Sequence, residues 1–469
     1  PAPAPEPQQE QPEPLPTRAT TAHLFTFDPE RKPAQRKKDN AAAMALLARV
    51  NGGEVPADSL TDADKALLAK YSGTGGGLVG ADGKKGSAYE YYTPKPIAEG
   101  MWSMLRELGF AGGRVLDPSA GTGIFGGTAP VNAAIDAVEL NATSGRVQQL
   151  VNDGPGYSTT IAPFEAVAAA TPDEQYDAVI TNVPFGEVAD RGGNQLKDTK
   201  YRDEPLQNYF ILRSLEKLKP GGLAAFITPP RCVSGRGGKE EALRRRASMI
   251  AEFLGAYRLP NGVFGTAATD TMTDVIVFRK FERPVLDKIA ELAEQNPGLL
   301  GTTKVLWDEF IDGDYFKGDG RRFMLGTPAK ATDRWGKEVA ALASDASVAD
   351  IAKLLRKFPP SRIDWAALDA AETTPIVYRD GDTMRHAGQT LVMQDGRWVA
   401  IQDASSADAD AQKAKLALMG MDAKISERDQ GGRTVYRVRV GPLDKIEAER
   451  VRAKLEAAHI DSAMVRVQR

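Results

Sequence analysis

The chain has 469 residues, 42% hydrophobic and 26% charged, with a formal net charge of −3. That length holds two or three domains with ordinary cores, and the charge balance excludes a globally basic nucleic-acid binder, so any such surface must be a local patch. The single cysteine, Cys232, excludes an internal disulfide and suits a reducing compartment, and three scattered histidines give no zinc spacing, so no metal is expected. No apolar run reaches membrane-spanning length. The first residue is Pro1 rather than Met, which is compatible with a fragment and leaves a lost leader or anchor open.

Residues 1–39 read as a disordered linker. Residues 1–16 are rich in proline, glutamine and glutamate and can bury no core. The basic run Arg31-Lys-Pro-Ala-Gln-Arg-Lys-Lys38 suits phosphate contact or, more simply, a solvated linker. A folded domain is expected over residues 40–283. Residues 40–50 are alanine-rich with helical apolar spacing, and residues 59–71 start and continue a second helix. Residues 73–86 form a loop rich in glycine and lysine, either a mobile lid or a plain surface loop. Ile97, Met101, Leu105 and Leu108, with Trp102 beside them, mark a helix that should pack on a sheet.

The stretch Arg114-Val-Leu-Asp-Pro-Ser-Ala-Gly-Thr-Gly-Ile-Phe125 is a short buried strand, a turn and the start of a helix. Asp117 closes the strand. Ser119, Ala120, Gly121, Thr122 and Gly123 are small enough for the backbone to turn tightly and approach a ligand. No Gly-Lys-Ser/Thr follows, so it is not a P-loop, and it lacks the dinucleotide spacing. Residues 134–140 read as the next strand, ending in Glu139, where an acid can accept both hydroxyls of a ribose. Residues 141–152 follow as a helix and residues 159–165 as a short strand and turn. Residues 176–186 are a third strand running into Asn182-Val-Pro-Phe185.

With these motifs in order, residues 60–280 resemble the amino-group DNA methyltransferases that use S-adenosylmethionine. Asp117-Pro-Ser-Ala-Gly-Thr-Gly123 looks like their cofactor loop, and Asn182-Val-Pro-Phe185 like their Asn/Asp-Pro-Pro-Tyr/Phe catalytic motif. Val183 departs from that pattern, and related enzymes tolerate an aliphatic residue there. Tyr91-Tyr-Thr-Pro94 is similar to the motif preceding the loop in adenine-N6 methyltransferases, and the nearest likeness is to methylase segments of phage and plasmid antirestriction proteins, often fused to helicases. The resemblance implies a doubly wound α/β sheet. It implies a cofactor site of Tyr92, Thr93, Pro94, Asp117, Ser119, Ala120, Gly121, Gly123, Glu139 and, more loosely, Glu165, which an exposed turn carboxylate would explain equally well. It also implies catalysis by Asn182, Pro184 and Phe185.

The chemistry calls for those residue types. The adenine amino group is a poor nucleophile because its lone pair is delocalised into the ring. The Asn182 amide oxygen and the backbone carbonyl of Val183 or Pro184 can accept its two hydrogens, and Phe185 can stack on the base. Catalysis is then orientation and electrostatic stabilisation. A duplex substrate implies that the adenine is flipped out.

Residues 186–201 form a long polar loop after this motif, read as contacting the target strand. Residues 208–218 are a helix, 223–228 a buried strand, and 239–255 a helix carrying Arg244-Arg-Arg246, which suits DNA backbone or, more commonly, a solvated face. Residues 256–261 and 274–280 look like closing antiparallel strands. Residues 284–396 read as a mixed helical and irregular extension, with helices at 286–292 and 348–358 and an irregular stretch at 315–325. Trp307, Trp335 and Trp365 suit core anchoring better than base stacking. No helicase motif is present in this sequence, and a helicase acting in trans is left open.

From residue 397 the pattern is strand, helix, strand, strand, helix, strand, a small ferredoxin-like α+β domain. Tyr436-Arg-Val-Arg-Val-Gly-Pro442 resembles the SPOR (sporulation-related repeat) domain, which implies binding to peptidoglycan glycan strands. Alternation puts Val435, Arg437 and Arg439 on one strand face and Thr434, Tyr436, Val438 and Val440 on the other, the helix-packed one. The two halves imply different compartments: DNA methylation is cytoplasmic, whereas septal glycan lies in the envelope. The first expectation is an N6-adenine DNA methyltransferase with a terminal SPOR-like module. The second is a peptidoglycan-binding envelope protein carrying an inactive or fused methylase domain. A third keeps the methyltransferase and changes its target to RNA or a protein glutamine.

Overall fold

A computed structural model describes residues 18–26, 31–73, 92–264, 272–281, 309–332 and 338–359, together with parts of 381–457. The chain divides into two compact units, Pro1–Ala371 and Glu372–Arg469.

The larger unit is built on a seven-stranded sheet of order β3-β2-β1-β4-β5-β7-β6. Its strands are β1 (Gly113–Asp117), β2 (Ala133–Glu139), β3 (Tyr157–Ile161), β4 (Tyr176–Asn182), β5 (Leu218–Thr228), β6 (Ala251–Leu259) and β7 (Thr273–Lys280). The first five run parallel, and β7 lies antiparallel to both β5 and β6. The central strands read as continuous apolar runs because both faces are covered. Val115, Ala178, Ile180, Ala225, Ile227, Val275 and Val277 point into one core. Leu116, Val179, Ala224, Phe226, Ile276 and Phe278, their alternating neighbours, point into the other.

The first core is covered by α1 (Pro33–Asn51), α2 (Asp62–Ala69), α3 (Lys95–Glu107), α4 (Ile124–Thr128) and α5 (Ala142–Asn152). Pro33 starts α1, where a missing N–H costs nothing. Thr61 and Asp64 form a capping box on α2, and the Asn141 side chain caps α5. The second core is covered by α6 (Phe164–Ala170), α7 (Leu206–Lys217), α8 (Arg231–Ser234) and α9 (Gly238–Ile250).

Several sequence expectations are corrected. Residues 18–38 are not all linker. Leu24 and Phe25 are buried in the first core, and α1 starts seven residues before position 40. Arg31 and Arg36 are buried, and Arg31 pairs with Asp39 at 2.5 Å while donating to the Lys70 carbonyl and Ser72. The helix expected to 255 ends at Ile250, because residues 251–259 are an edge strand paired to β7. Strand β5 begins at Leu218, with a register shift at Tyr176/Ala178. Residues 309–358 belong to the larger unit rather than to a separate extension: Phe310 stacks on Phe253 with centroids 3.8 Å apart, and Phe358 packs on Tyr257. Within them, β8 (Thr327–Thr332) and β9 (Glu338–Ala343) form a hairpin, and α10 (Val348–Lys353) packs on α3, where a Cβ on Gly100 would meet the Ala352 carbonyl at 2.7 Å.

In the smaller unit, β10 (Thr383–His386), β11 (Gln389–Gln394) and β12 (Arg397–Ala400) form an antiparallel sheet. Strand β12, expected to open the ferredoxin-like pattern at 397, pairs with β11 among the described residues. Strands β13 (Ala423–Asp429) and β14 (Thr434–Val440) pair antiparallel, and α11 (Lys445–Ala457) follows. Val438 and Val440 pack on Leu416, Met421, Ala423 and Leu455, the face expected from alternation. The expected segments 1–16, 74–86, 286–292 and 462–467, most of 408–419, and Trp307, Trp335 and Trp365 lie outside the described residues.

Arg244 explains the basic triplet. It is buried and donates to the carbonyls of Ile311 (2.8 Å) and Gly235 (2.7 Å), so it joins α9 to the segment after residue 309. Arg245 and Arg246 are exposed and pair with Glu241 and Glu204. Arg244→Ala is expected to cost about 3 kcal/mol of unfolding free energy, because buried carbonyls lose their donors. Arg245→Ala should stay within about 0.5 kcal/mol of the parent, as exposed pairs do. Chemical denaturation of both variants checks the contrast.

Candidate active site

Strands β1 and β4 are neighbours, with Val115 opposite Ala178 and Leu116 opposite Val179. Parallel pairing brings both carboxyl ends to one edge, so Asp117 and Asn182 emerge side by side. After Asp117 the chain turns through Gly121, at φ +57°, and Gly123, at φ +88°, which precedes α4. A side chain at Gly123 would be strained by that φ, and its Cβ would meet the Asn152 amide at 2.3 Å. The Ala120 N–H donates to the Val138 carbonyl at 3.0 Å, and the Gly121 N–H to Glu139 Oε2 at 2.7 Å. Glu139 Oε1 accepts the Asn141 N–H at 2.6 Å, so one carboxylate ties the glycine loop to the start of α5.

Asp117 is 1% exposed. Its Oδ1 accepts the Ser119 N–H at 3.4 Å, while Oδ2 has no well-formed hydrogen bond although the Thr181 hydroxyl stands beside it. Burial raises its pKa from 3.8 to about 7, against the pull of the Thr181 hydroxyl and the Ser119 N–H and with a push from Glu139.

The motif before the loop touches both halves. The Tyr92 ring lies over Gly121, 3.5 Å from where a Cβ would stand, and its hydroxyl bonds Ser144 at 3.1 Å. Thr93 is buried, and its Oγ1 accepts the Asn182 Nδ2–H at 3.5 Å. Pro94 precedes α3 as its N-cap. Tyr91 lies outside the described residues. Val183 is buried in the second core, which accounts for an aliphatic residue there, and its N–H donates to the Ile227 carbonyl at 3.1 Å. Pro184 and Phe185 are half-buried.

Glu165 is neither an exposed turn residue nor part of this cluster by hydrogen bonding. It sits in the first turn of α6, buried, and accepts Arg191 Nε at 3.1 Å. Arg191, also buried, donates to the carbonyls of Tyr201, Arg202 and Glu204 and lies over the Tyr209 ring. A second buried pair, Asp198 with Arg213 at 2.7 Å, fastens the far end of the same loop to α7. The loop at 186–201 is therefore stapled at both ends.

Leu140 and Ile161 were not singled out in the sequence. They follow β2 and end β3 at this edge, and they are 63% and 38% exposed. A large apolar residue directly after a strand-ending acid was the available signal.

Residues 158–296 match the N-6 DNA methylase family model, and residues 404–466 match the SPOR domain model. The chain therefore carries an N-6 DNA methylase domain and, toward its carboxyl end, a SPOR domain. It is 41% identical over 368 residues to the defense against restriction protein B of Escherichia phage P1, covering 78% of this chain and 15% of that protein. It is 23% identical over 241 residues to the type I restriction enzyme EcoEI methylase subunit of Escherichia coli, covering 45% of this chain and 48% of that subunit. The chain thus spans less than half the length of either relative. Among solved structures, the EcoKI M protein aligns at 18% identity over 55% of this chain and 56% of its own, with a TM-score of 0.33.

The methylase match makes S-adenosylmethionine the cofactor of this domain. The residues present fit such a group. Buried Asp117 Oδ2 lacks a proper donor, and a glycine lets the backbone approach under Tyr92.

The raised Asp117 pKa has a consequence for stability. The folded state keeps a proton that the unfolded chain releases near 3.8, so this group lowers stability as pH rises from about 4 to about 7. Above that range the penalty is constant. Asp117→Asn should therefore stabilise the cofactor-free protein at pH 8, by on the order of a few kcal/mol, and gain little at pH 4.5. Urea denaturation at the two pH values reads the difference, and an equal gain at both would contradict this electrostatic account.

Proposed function

We propose that this domain transfers the methyl group of S-adenosylmethionine to the N6 amino group of adenine in DNA. The observation that carries the reading is the adjacency of β1 and β4, with Tyr92 on the glycine loop and Thr93 on Asn182. One short segment thus touches both the cofactor side and the target side.

In this reading Asp117, Ser119, Ala120, Gly121 and Gly123 hold the methionine end. Glu139 takes the ribose hydroxyls, exchanging part of its grip on the Gly121 N–H for them. Leu140 and Ile161 wall the purine, and Tyr92, Thr93 and Pro94 close the site. When bound, the cofactor supplies an electrophilic methyl group on a sulfonium. Thr93 fixes the Asn182 amide, whose oxygen, with the backbone carbonyl of Val183 or Pro184, accepts the two hydrogens of the target amine. That draws the nitrogen toward tetrahedral geometry and localises its lone pair. Pro184 restricts the backbone and helps aim the carbonyl, and Phe185 stacks on the flipped base. The proton leaves after the nitrogen becomes cationic, so no strong base is needed. Glu165 acts through Arg191 on the target loop. The phage relative's name supports an antirestriction setting in which modified DNA escapes cleavage.

Asn182→Ala should lower transfer to DNA by at least about a hundredfold while leaving cofactor affinity within about twofold, the pattern of a lost transition-state interaction. Labelled-methyl transfer and calorimetry read the two quantities. Wild-type turnover in this variant would refute the mechanism. Labelling of RNA or of a protein glutamine in place of DNA would keep the fold and change the substrate.

A second activity has its own support in the SPOR match at residues 404–466. We infer that this unit binds peptidoglycan glycan strands through the strand face bearing Val435, Arg437 and Arg439, opposite the packed Val438 and Val440. The full chain should sediment with purified sacculi with little dependence on salt. Failure to sediment, with DNA binding that weakens steeply as salt rises and is lost in Arg437→Ala/Arg439→Ala, would assign the face to nucleic acid instead.

A further inference from the structure

The segment at residues 18–26 crosses the helix that follows the glycine loop. The Arg18 guanidinium donates to the Ala129 carbonyl at 2.7 Å, and the Arg18 N–H to the Val131 carbonyl at 3.0 Å. The Gly127 carbonyl accepts the Thr20 hydroxyl at 3.0 Å and the Thr21 N–H at 3.2 Å. Phe25 fills the space beside Gly127, where a Cβ would meet its ring at 2.4 Å. These contacts hold the carboxyl end of α4. From the other face of the same helix, Trp102 Nε1 donates to the Phe125 carbonyl at 2.8 Å.

One contact reaches further. The Thr21 hydroxyl donates to Asn152 Oδ1 at 2.5 Å. Asn152 is 7% exposed, and its Nδ2 faces the carbonyls of Gly123 (3.4 Å) and Thr122 (3.5 Å). The same amide lies where a side chain on Gly123 would stand. A terminal amide can rotate and exchange its oxygen for its nitrogen. With Thr21 donating to Oδ1, only one orientation satisfies both ends, and it turns the N–H groups onto the loop. The loop carbonyls, which only accept, set that orientation, and the strap hydroxyl, donating to Oδ1, anchors the amide in it.

We propose that the strap at residues 18–26 sets the conformation of the cofactor loop, and that Thr21, acting through Asn152, is a positioning residue for S-adenosylmethionine binding. This rests on the cofactor assignment above. The Thr21 hydroxyl reaches Gly123 through Asn152, so losing it should loosen the loop rather than remove a cofactor contact. The effect belongs in cofactor affinity and KM, with kcat nearly unchanged at saturation.

The test compares the full chain with Thr21→Val, which keeps the shape and removes the hydroxyl, and with Thr21→Ser, which restores it. Each protein is assayed by calorimetry with S-adenosylmethionine, and without ligand by amide hydrogen exchange over residues 119–127 and by thermal unfolding. Thr21→Val should weaken binding roughly three- to tenfold, the size of one hydrogen bond. It should also speed exchange across the loop with little change in unfolding midpoint, and Thr21→Ser should recover both. Wild-type affinity and exchange in Thr21→Val would overturn the relay and leave the cofactor assignment standing. A general loss of stability not recovered by Thr21→Ser would also overturn it, since a packing role alone does that. If the parent chain binds no S-adenosylmethionine, the cofactor assignment fails and takes the proposed role of Thr21 with it, whatever the exchange result.

Discussion

The site depends on one constraint, the reversal of winding between β1 and β4. Strands β1, β2 and β3 step outward in one direction, and β4 and β5 step outward in the other. Loops leaving β1 and β4 therefore diverge to opposite faces and open a crevice at the carboxyl edge. Because both strands are buried on both faces, neither can slide by one residue without moving an apolar set out of its core. The placement of Asp117 against Asn182 is thereby fixed by packing remote from the chemistry. What stands in the crevice is less tightly bound: a carboxyl group held up at a pKa of about 7, a glycine turn held by Glu139, and a Tyr-Thr pair resting on Gly121 and Asn182.

Much of this was legible in the sequence because the motifs are local. The loop at 117–123, the acid at 139 and the Asn-x-Pro-Phe stretch each follow an apolar run, and their order carries the sheet topology. Tertiary contacts carried the rest and were not legible. Residues 239–255 keep a helical apolar rhythm past the true end of α9, so only pairing to β7 reveals that Ala251–Leu259 is a strand. The charges in Arg31, Arg36 and Arg244 suggested solvent, yet each is buried, Arg31 against Lys70 and Ser72 and Arg244 against Ile311. The pairing of Glu165 with Arg191 was not legible, since Arg191 lies 26 residues away and nothing local announces the pair.

Those hidden contacts share a pattern. The glycine loop is held from behind by the strap through Asn152, and the loop at residues 186–201 is held by Arg191 on Glu165 and Arg213 on Asp198. Each staple joins a functional loop to a helix on the outside of the sheet. Buried, multiply bonded guanidinium groups suit that task, because their fixed fork satisfies several carbonyls at once. Loops held in this way lose little freedom on binding, which in the proposed mechanism lets weak acceptors orient a poor nucleophile.

The account is tested most directly by identifying the atom that receives the methyl group. Unmethylated DNA is incubated with the full chain and isotopically labelled S-adenosylmethionine, digested to nucleosides, and resolved by mass spectrometry. The account predicts label in N6-methyldeoxyadenosine and none in methylated deoxycytidine. Label confined to deoxycytidine would contradict the adenine assignment, and DNA left unlabelled by a chain that binds the cofactor would contradict the assignment of DNA as substrate.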